Sequence, residues 1–261
     1  MKALAREDFR EARIRFQEAV EIFPESGRAH YGLGVALLEF DELSQARRHL
    51  REATKLEPSL IEAFYQLGVI ALREDKLDEA EQALRKALET QPDHAAAQSA
   101  FSQVLERGGK LKDAETALRR SLVLDPFQPT SFLRLARMYV RVHAEGPAIQ
   151  VLEEGVRLNP REKVQSEADL SLLYNELGIL LAHGGKYAEA IDALGRALSL
   201  PGATPEIAFN LGWAHAAKGE SQTALGYFQQ YLNLADASAP GVRVATNVVA
   251  HLRQRIERQS E

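Results

Sequence analysis

The chain of 261 residues is long enough for one large domain or two ordinary ones. Its 45% hydrophobic and 26% charged residues exclude a disordered chain, and its formal net charge of −5 gives no general reason to bind nucleic acid or an anionic membrane. The absence of cysteine excludes disulfides, thiolate metal sites and cysteine nucleophiles.

The sequence predicts no membrane insertion, because no apolar run approaches the ~18 residues that would span a bilayer. The N-terminal residues carry charges every few positions, unlike a secretory signal. A cytoplasmic location is therefore only the default, and the compartment stays unknown.

The sequence repeats a motif with a period of 34 residues. A proline closes five consecutive segments at this interval, and an alanine recurs in the same place in seven segments. Four residues after each alanine comes a leucine or a phenylalanine. Strict recurrence of this kind predicts a repeat architecture. The prolines are Pro24, Pro58, Pro92, Pro126 and Pro160; the alanines are Ala12, Ala46, Ala80, Ala114, Ala148, Ala190 and Ala224.

Residues 61–94 show what one segment encodes. Each half has apolar residues at helical spacing, and the polar stretch "REDKLDEA" separates the two halves. Pro92 cannot continue the second helix and ends it. The segment therefore predicts a hairpin of two helices, in which small residues let the backbones approach closely. The first apolar stripe is Phe64, Leu67, Gly68 and Ala71, and the second is Ala80, Leu84, Ala87 and Leu88.

This period and motif resemble the tetratricopeptide repeat family. The resemblance implies an all-α fold, a right-handed superhelical α-solenoid of antiparallel helix pairs. It also implies that the first helix of each pair lines a concave groove, which in this family holds a peptide segment of a partner. Each repeat is numbered here with Leu-Gly at positions 7 and 8 and the closing proline at position 32.

The predicted elements follow in chain order. Residues 1–26 are a truncated half-repeat, with a second helix and a stub of the first; residues 27–162 hold four tandem repeats. Residues 163–170 are an insertion that should lengthen the next helix by about two turns. Residues 171–238 hold two further repeats, and residues 239–261 form a C-terminal capping helix. About fifteen helices are expected.

The half-repeat at the N-terminus lacks the first helix that would cover its second one. Phe16 and its neighbours are then expected to form an exposed apolar patch, which soluble monomers tend to avoid. Two interpretations remain open. Either the chain was cut from a longer protein, or two copies associate through this end.

No catalytic, cofactor or metal site is predicted. The seven histidines have no ligand spacing, and His215 falls in a core position that predicts a packed side chain. The stretch "HGGK" at 183–186 lacks the Ser or Thr of a phosphate-binding loop and predicts a turn. We therefore expect a protein that is not an enzyme.

The predicted partner-binding residues lie on the groove side of the first helices. The second and third repeats present apolar and aromatic residues there, and the fourth and fifth present arginines. Arginines favour an acidic peptide segment, since guanidinium groups bind carboxylates in bidentate fashion. In the alternative interpretation, Arg134 pairs with Glu176 and only braces the groove wall. The predicted residues are Tyr31, Val35, Tyr65, Val69, Arg107, Arg134, Arg137, Arg141 and Trp213.

The predicted function is a non-catalytic scaffold or adaptor that holds a partner protein or peptide in the groove. As an alternative, the chain is the substrate-recruiting region of a larger enzyme, for example a glycosyltransferase, with its catalytic domain elsewhere. RNA binding along the arginine face is a third interpretation; the acidic net charge favours the first two.

Overall fold

A computed structural model describes residues 2–162 and 166–260, and the side chains of 8–162 and 166–258. Over these residues the chain forms fourteen α-helices and no strand, which confirms the all-α prediction. The chain divides into two compact bodies, residues 1–125 and residues 126–261. They are called the N-terminal body and the C-terminal body below, and each is described by itself.

The N-terminal body contains seven helices. Short turns join consecutive helices that pack on each other, so neighbours run antiparallel. Three helix pairs, α2 with α3, α4 with α5 and α6 with α7, follow the 34-residue register, and α1 packs on α2. The helices are α1 (Lys2–Ile22), α2 (Gly27–Leu38), α3 (Leu43–Leu56), α4 (Ile61–Arg73), α5 (Leu77–Thr90), α6 (Ala95–Arg107) and α7 (Leu111–Leu124).

The C-terminal body contains three more pairs and a final helix. Pro129 and Pro205 stand in the first turn of α8 and α12, where a missing backbone N–H is tolerated. The last helix, α14, packs on α13. The helices are α8 (Pro129–Arg141), α9 (Glu145–Leu158), α10 (Glu167–His183), α11 (Tyr187–Ser199), α12 (Pro205–Lys218), α13 (Ser221–Leu234) and α14 (Gly241–Ser260).

The two helices of a pair meet at the glycine of the Leu-Gly motif. A Cβ atom on Gly68 would lie 2.5 Å from Cγ of Leu84, which is fully buried. The same contact recurs in three other pairs, so position 8 must be small wherever position 24 is large. The corresponding partners are Gly34 with Leu50, Gly178 with Leu194 and Gly212 with Phe228.

Two expectations for the sequence segments need correction. The N-terminal half-repeat has no separate remnant of a first helix, because α1 runs unbroken from Lys2 to Ile22. The insertion lengthens α10 by one turn rather than two, since that helix begins at Glu167. Ser166 caps this end: its side-chain oxygen accepts a hydrogen bond from the backbone N–H of Asp169. Residues 163–165 of the insertion lie outside the described part of the chain.

Phe16 is exposed, as expected, although one side of its ring is covered. Its ring lies against Gly32 of α2, where a Cβ atom would clash with it, and 37% of the residue is exposed. The large apolar residues of this segment that face solvent most are Ile14, Ile22 and Phe23.

Small residues at position 27 make room for the next element. Gly155 lies between Phe132 of its own pair and Leu173 of the following pair, where a Cβ atom would come within 2.8 Å and 3.1 Å of these side chains. The last pair has Tyr231 at this position instead, and it is 2% exposed. Its hydroxyl lies 2.5 Å from the place of a Cβ atom on Gly241, the first residue of α14. Tyr231 is therefore covered by the final helix and not by another pair.

The turn inside each complete pair depends on one residue at position 15 with a left-handed backbone. Its φ angle lies between 57° and 91° in all six pairs. Glycine adopts this conformation freely, and Asp or His does so at a cost. The six residues are Asp41, Asp75, Gly109, His143, Gly185 and Gly219.

Replacing one of these glycines by alanine measures the effect of backbone strain on stability without an effect of packing. A Cβ atom on Gly185 would contact nothing within 4 Å, so Gly185→Ala should destabilise the protein by about 1 kcal/mol through its φ of 77° alone. Gly195, inside α11, also has open space around it but has no positive φ. Gly195→Ala should stabilise the protein by about 0.5–1 kcal/mol. Urea unfolding measures both; equal effects of the two changes would contradict the assignment of strain to Gly185.

Two histidines meet in the buried interior of the N-terminal body. Nδ1 of His30 lies 3.0 Å from Nδ1 of His49, and Nε2 of His30 lies 3.0 Å from the carbonyl oxygen of Pro24. The carbonyl can only accept, so Nε2 of His30 donates to it. Nδ1 of neutral His30 then accepts from Nδ1–H of His49. Burial, followed by the charges of His30 and Arg48, lowers the pKa of His49.

The lowered pKa predicts a loss of stability in acid. When unfolded, His49 has its ordinary pKa of about 6.5, so the unfolded chain binds the proton more readily than the folded chain. The contribution of neutral His49 is complete above that pKa and is lost as the pH falls below it. The urea midpoint should therefore decrease from pH 7.5 to pH 5.5. His49→Gln should weaken this dependence, whereas His183→Gln, at an exposed position, should preserve it; equal pH profiles for all three proteins would contradict the interpretation.

Candidate partner-binding faces

In the N-terminal body, the first helices carry four of the predicted residues on a largely apolar face. Tyr31 and Val35 lie on α2, and Tyr65 and Val69 lie on α4; all four are half-buried. Tyr31 and Tyr65 pack against separate core clusters. Burial raises the pKa of both phenols, with a smaller contribution from the charge of Glu62 at Tyr31. A phenol with its ordinary pKa of about 10 is already protonated at neutral pH, so both hydroxyls can donate hydrogen bonds.

His94 fixes one border of this face. Its Nδ1 accepts a hydrogen bond from the backbone N–H of Ala97, which caps α6. The imidazole ring lies against Tyr65 with 5.2 Å between ring centroids. The role of His94 was not predicted, although its place directly before a helix is typical of a capping residue.

Arg107 is partly engaged within the protein. Its Nη1 donates to the carbonyl oxygen of Leu72 at 3.0 Å and lies 3.3 Å from a carboxylate oxygen of Asp75. These bonds tie the end of α6 to the turn between α4 and α5. Arg107 is exposed, but a partner that binds its guanidinium group has to do so alongside these internal hydrogen bonds.

In the C-terminal body, an arginine–glutamate pair joins two first helices. Arg137 of α8 donates from Nε at 3.2 Å and from Nη2 at 2.6 Å to Oε1 of Glu176 on α10. The alternative interpretation named Arg134 as the partner of Glu176, yet these bonds come from Arg137, about one turn later on α8. Arg134 is half-buried and Arg141 exposed on the same helix.

Trp213 of α12 packs against two aromatic rings. Its indole is 44% exposed and meets Phe209 and Phe228 edge-on, with centroid distances of 6.2 Å and 5.6 Å. The neighbouring Asn210 donates from Nδ2 to Oδ1 of Asn175 at 3.0 Å. The sequence analysis did not single out Asn175. The signal for it is a side-chain amide on α10, the first helix of the pair before the one that carries Asn210.

The other residues considered for a chemical role make contacts that stabilise the fold. His215 is buried as predicted; its Nδ1 lies 2.5 Å from Glu220, and its ring stacks on Tyr227. In the described part of the chain, no group of three or more His, Asp or Glu side chains could hold a metal ion. No described helix has both the length and the apolar character needed to cross a bilayer.

Comparison with known families agrees with the geometry of the pairs. Two models of the tetratricopeptide repeat match the chain, one at residues 3–67 and the other at residues 65–129 and 174–241. The chain belongs to the tetratricopeptide repeat family. The matches cover well over half of its length, and repeats of this family serve as protein-interaction scaffolds. A search of curated proteins found no match.

Solved structures of similar fold include other tetratricopeptide repeat proteins. The pilF protein of Pseudomonas aeruginosa superposes with a TM-score of 0.67 at 20% identity, over 89% of this chain and 98% of that one. YrrB, described as a TPR protein with an unusual peptide-binding site, gives 0.59 at 18% identity, over 78% and 97%. A chain of the APC/C hetero-tetramer Cut9–Hcn1 gives 0.65 at 17% identity, over 95% and 46%, so this chain spans less than half of it. These likenesses show the fold.

Proposed function

We propose that the protein is a non-catalytic scaffold that binds peptide segments of a partner on the first-helix faces of its two bodies. The observation that carries this proposal is Trp213, a large aromatic side chain that is exposed yet held by Phe209 and Phe228. Rigid aromatic residues are typical anchors of protein interfaces because they add contact area at little cost in conformational entropy.

An acidic segment of the partner fits the C-terminal body. Glu176 shows that a carboxylate can accept two hydrogen bonds from Arg137. This exposed pair contributes little to folding stability, about 0–1 kcal/mol. A carboxylate of the partner can therefore replace Glu176 at a small cost, while Trp213 contacts a neighbouring apolar side chain.

An apolar segment fits the N-terminal body. Val35 and Val69 offer aliphatic surface, and the protonated phenols of Tyr31 and Tyr65 offer hydrogen-bond donors at its edge. This combination suits an extended segment with alternating apolar side chains and free backbone carbonyl groups.

Self-association is a second part of the proposal. The N-terminal half-repeat exposes 58% of Ile14, 68% of Ile22 and 64% of Phe23. Exposed apolar residues that lie together often mark an interaction surface, and these three belong to one segment of the chain. We infer that two copies of the chain associate through this segment.

The acidic-segment proposal predicts opposite effects for the two partners of one ion pair. A labelled glutamate–leucine peptide serves as the probe, and its glutamine–leucine counterpart is the control. Arg137→Glu should weaken binding of the acidic probe at least tenfold, since charge-assisted hydrogen bonds contribute about 1.5–3 kcal/mol. Glu176→Gln should tighten binding, because it releases Arg137. Fluorescence anisotropy measures both.

Arg253→Glu is the matched control, because this exposed arginine lies on α14, outside both faces. It should leave binding within about twofold. If Glu176→Gln lowered the melting temperature and did not tighten binding, the pair would be a brace between helices, and the proposed site for an acidic segment would be wrong.

A further inference from the structure

Helix α1 has two distinct sides. One side packs on α2: the ring of Phe16 lies against Gly32, and Val20 joins the core cluster around Leu33 and Leu37. The opposite side faces solvent, and its centre is Ile14. The segment thus combines a side that packs on α2 with a solvent-facing side that has an apolar centre.

Two residues of opposite charge flank Ile14 along one row of the exposed side. Arg10 lies one turn before Ile14, and Glu18 lies one turn after it. Arg10 is exposed, and no ion pair joins it to another side chain within residues 8–162 and 166–258. Glu18 has a long contact of 3.7 Å with Arg15, and both residues are largely exposed, so this contact holds Glu18 only weakly.

The spacing makes this side complementary to itself. Arg10, Ile14 and Glu18 are four residues apart, so they form one ridge of the helix surface. When a two-fold axis relates this ridge to the same ridge of a second copy, with the two helices antiparallel, Ile14 of one copy meets Ile14 of the other. Arg10 of each copy then comes opposite Glu18 of the other copy. A parallel arrangement would instead place like charges together.

We propose that α1 forms a closed, two-fold symmetric dimer with a second copy of this chain, with the two α1 helices antiparallel. The proposal rests on the self-association proposed above and specifies its surface and symmetry. The two-fold axis passes near Ile14, and the two Arg10–Glu18 pairs flank it. An isologous interface of this kind closes after two copies and does not continue into a filament. A single helix pair is a small interface, so the dimer should be weak and concentration-dependent.

Charge reversal tests the antiparallel arrangement. Arg10→Glu should place two glutamates opposite each other at both ends of the interface, and Glu18→Arg should do the same with two arginines. Each change alone should lower the dimer association constant at least tenfold. The double variant Arg10→Glu with Glu18→Arg should restore association, because opposite charges again face each other. Sedimentation velocity over a range of concentrations measures the dimer.

Two apolar variants complete the test. Ile14→Glu should abolish the dimer, whereas Leu234→Glu should leave it unchanged, since Leu234 is an exposed leucine on α13. Thermal unfolding of each variant shows whether the fold is retained, and Ile14→Ser replaces Ile14→Glu if that variant unfolds.

The outcomes separate the two proposals. A wild-type protein that stays monomeric at all concentrations overturns both self-association and the α1 dimer. Self-association that survives Ile14→Glu, or that the double reversal does not restore, leaves self-association standing and overturns this interface. Assembly that continues beyond two copies overturns the closed symmetry.

Discussion

The close approach of two helix backbones within each pair is the constraint on which the rest of the structure depends. It requires a small residue at position 8, because the side chain at position 24 occupies the space that a larger one would need. In the two pairs without glycine this position holds buried Ser102 and Ala136, which are the next smallest choices. Burial of Leu84 and its equivalents contributes about 1.5–3 kcal/mol each.

This constraint also determines which surfaces remain for a partner. A first helix uses one side for its own pair and another for the neighbouring pairs, as α10 does with α11, α8 and α12. The side that remains is only half-buried and is not part of the contact between positions 8 and 24. Its residues differ in chemistry, from aromatic and aliphatic on α2 and α4 to charged on α8, while the helix pair stays the same.

The repeat made most of the fold predictable, and the exceptions have physical causes. The unbroken α1 could have been foreseen: Glu7 stands where the other pairs have Asp, Gly or His in a left-handed conformation. A glutamate takes that conformation at a cost and favours helix, so the turn is absent. The single turn added to α10 depends on the cap at Ser166, which the composition of the insertion did not indicate.

The partner-binding faces were less predictable than the fold. Position numbers correctly placed Tyr31 and Tyr65 on first helices, but they did not give the stagger between neighbouring helices. For that reason Arg137, rather than Arg134, was found bonded to Glu176. The bonds from Arg107 to the turn before it were missed for a similar reason, since a long side chain can reach the backbone of another repeat.

The tyrosine at position 27 of the last pair limits how this protein can evolve. Tandem repeats grow by duplication, and a copied pair can stack only where the preceding pair has a small residue at that position. Tyr231 fills this space and is matched by Gly241, so a duplicate inserted after α13 would meet a phenol ring where its first helix should pack. A pair inserted after α13 would therefore need a smaller residue at position 231, and α13 and α14 fit each other as one terminal module.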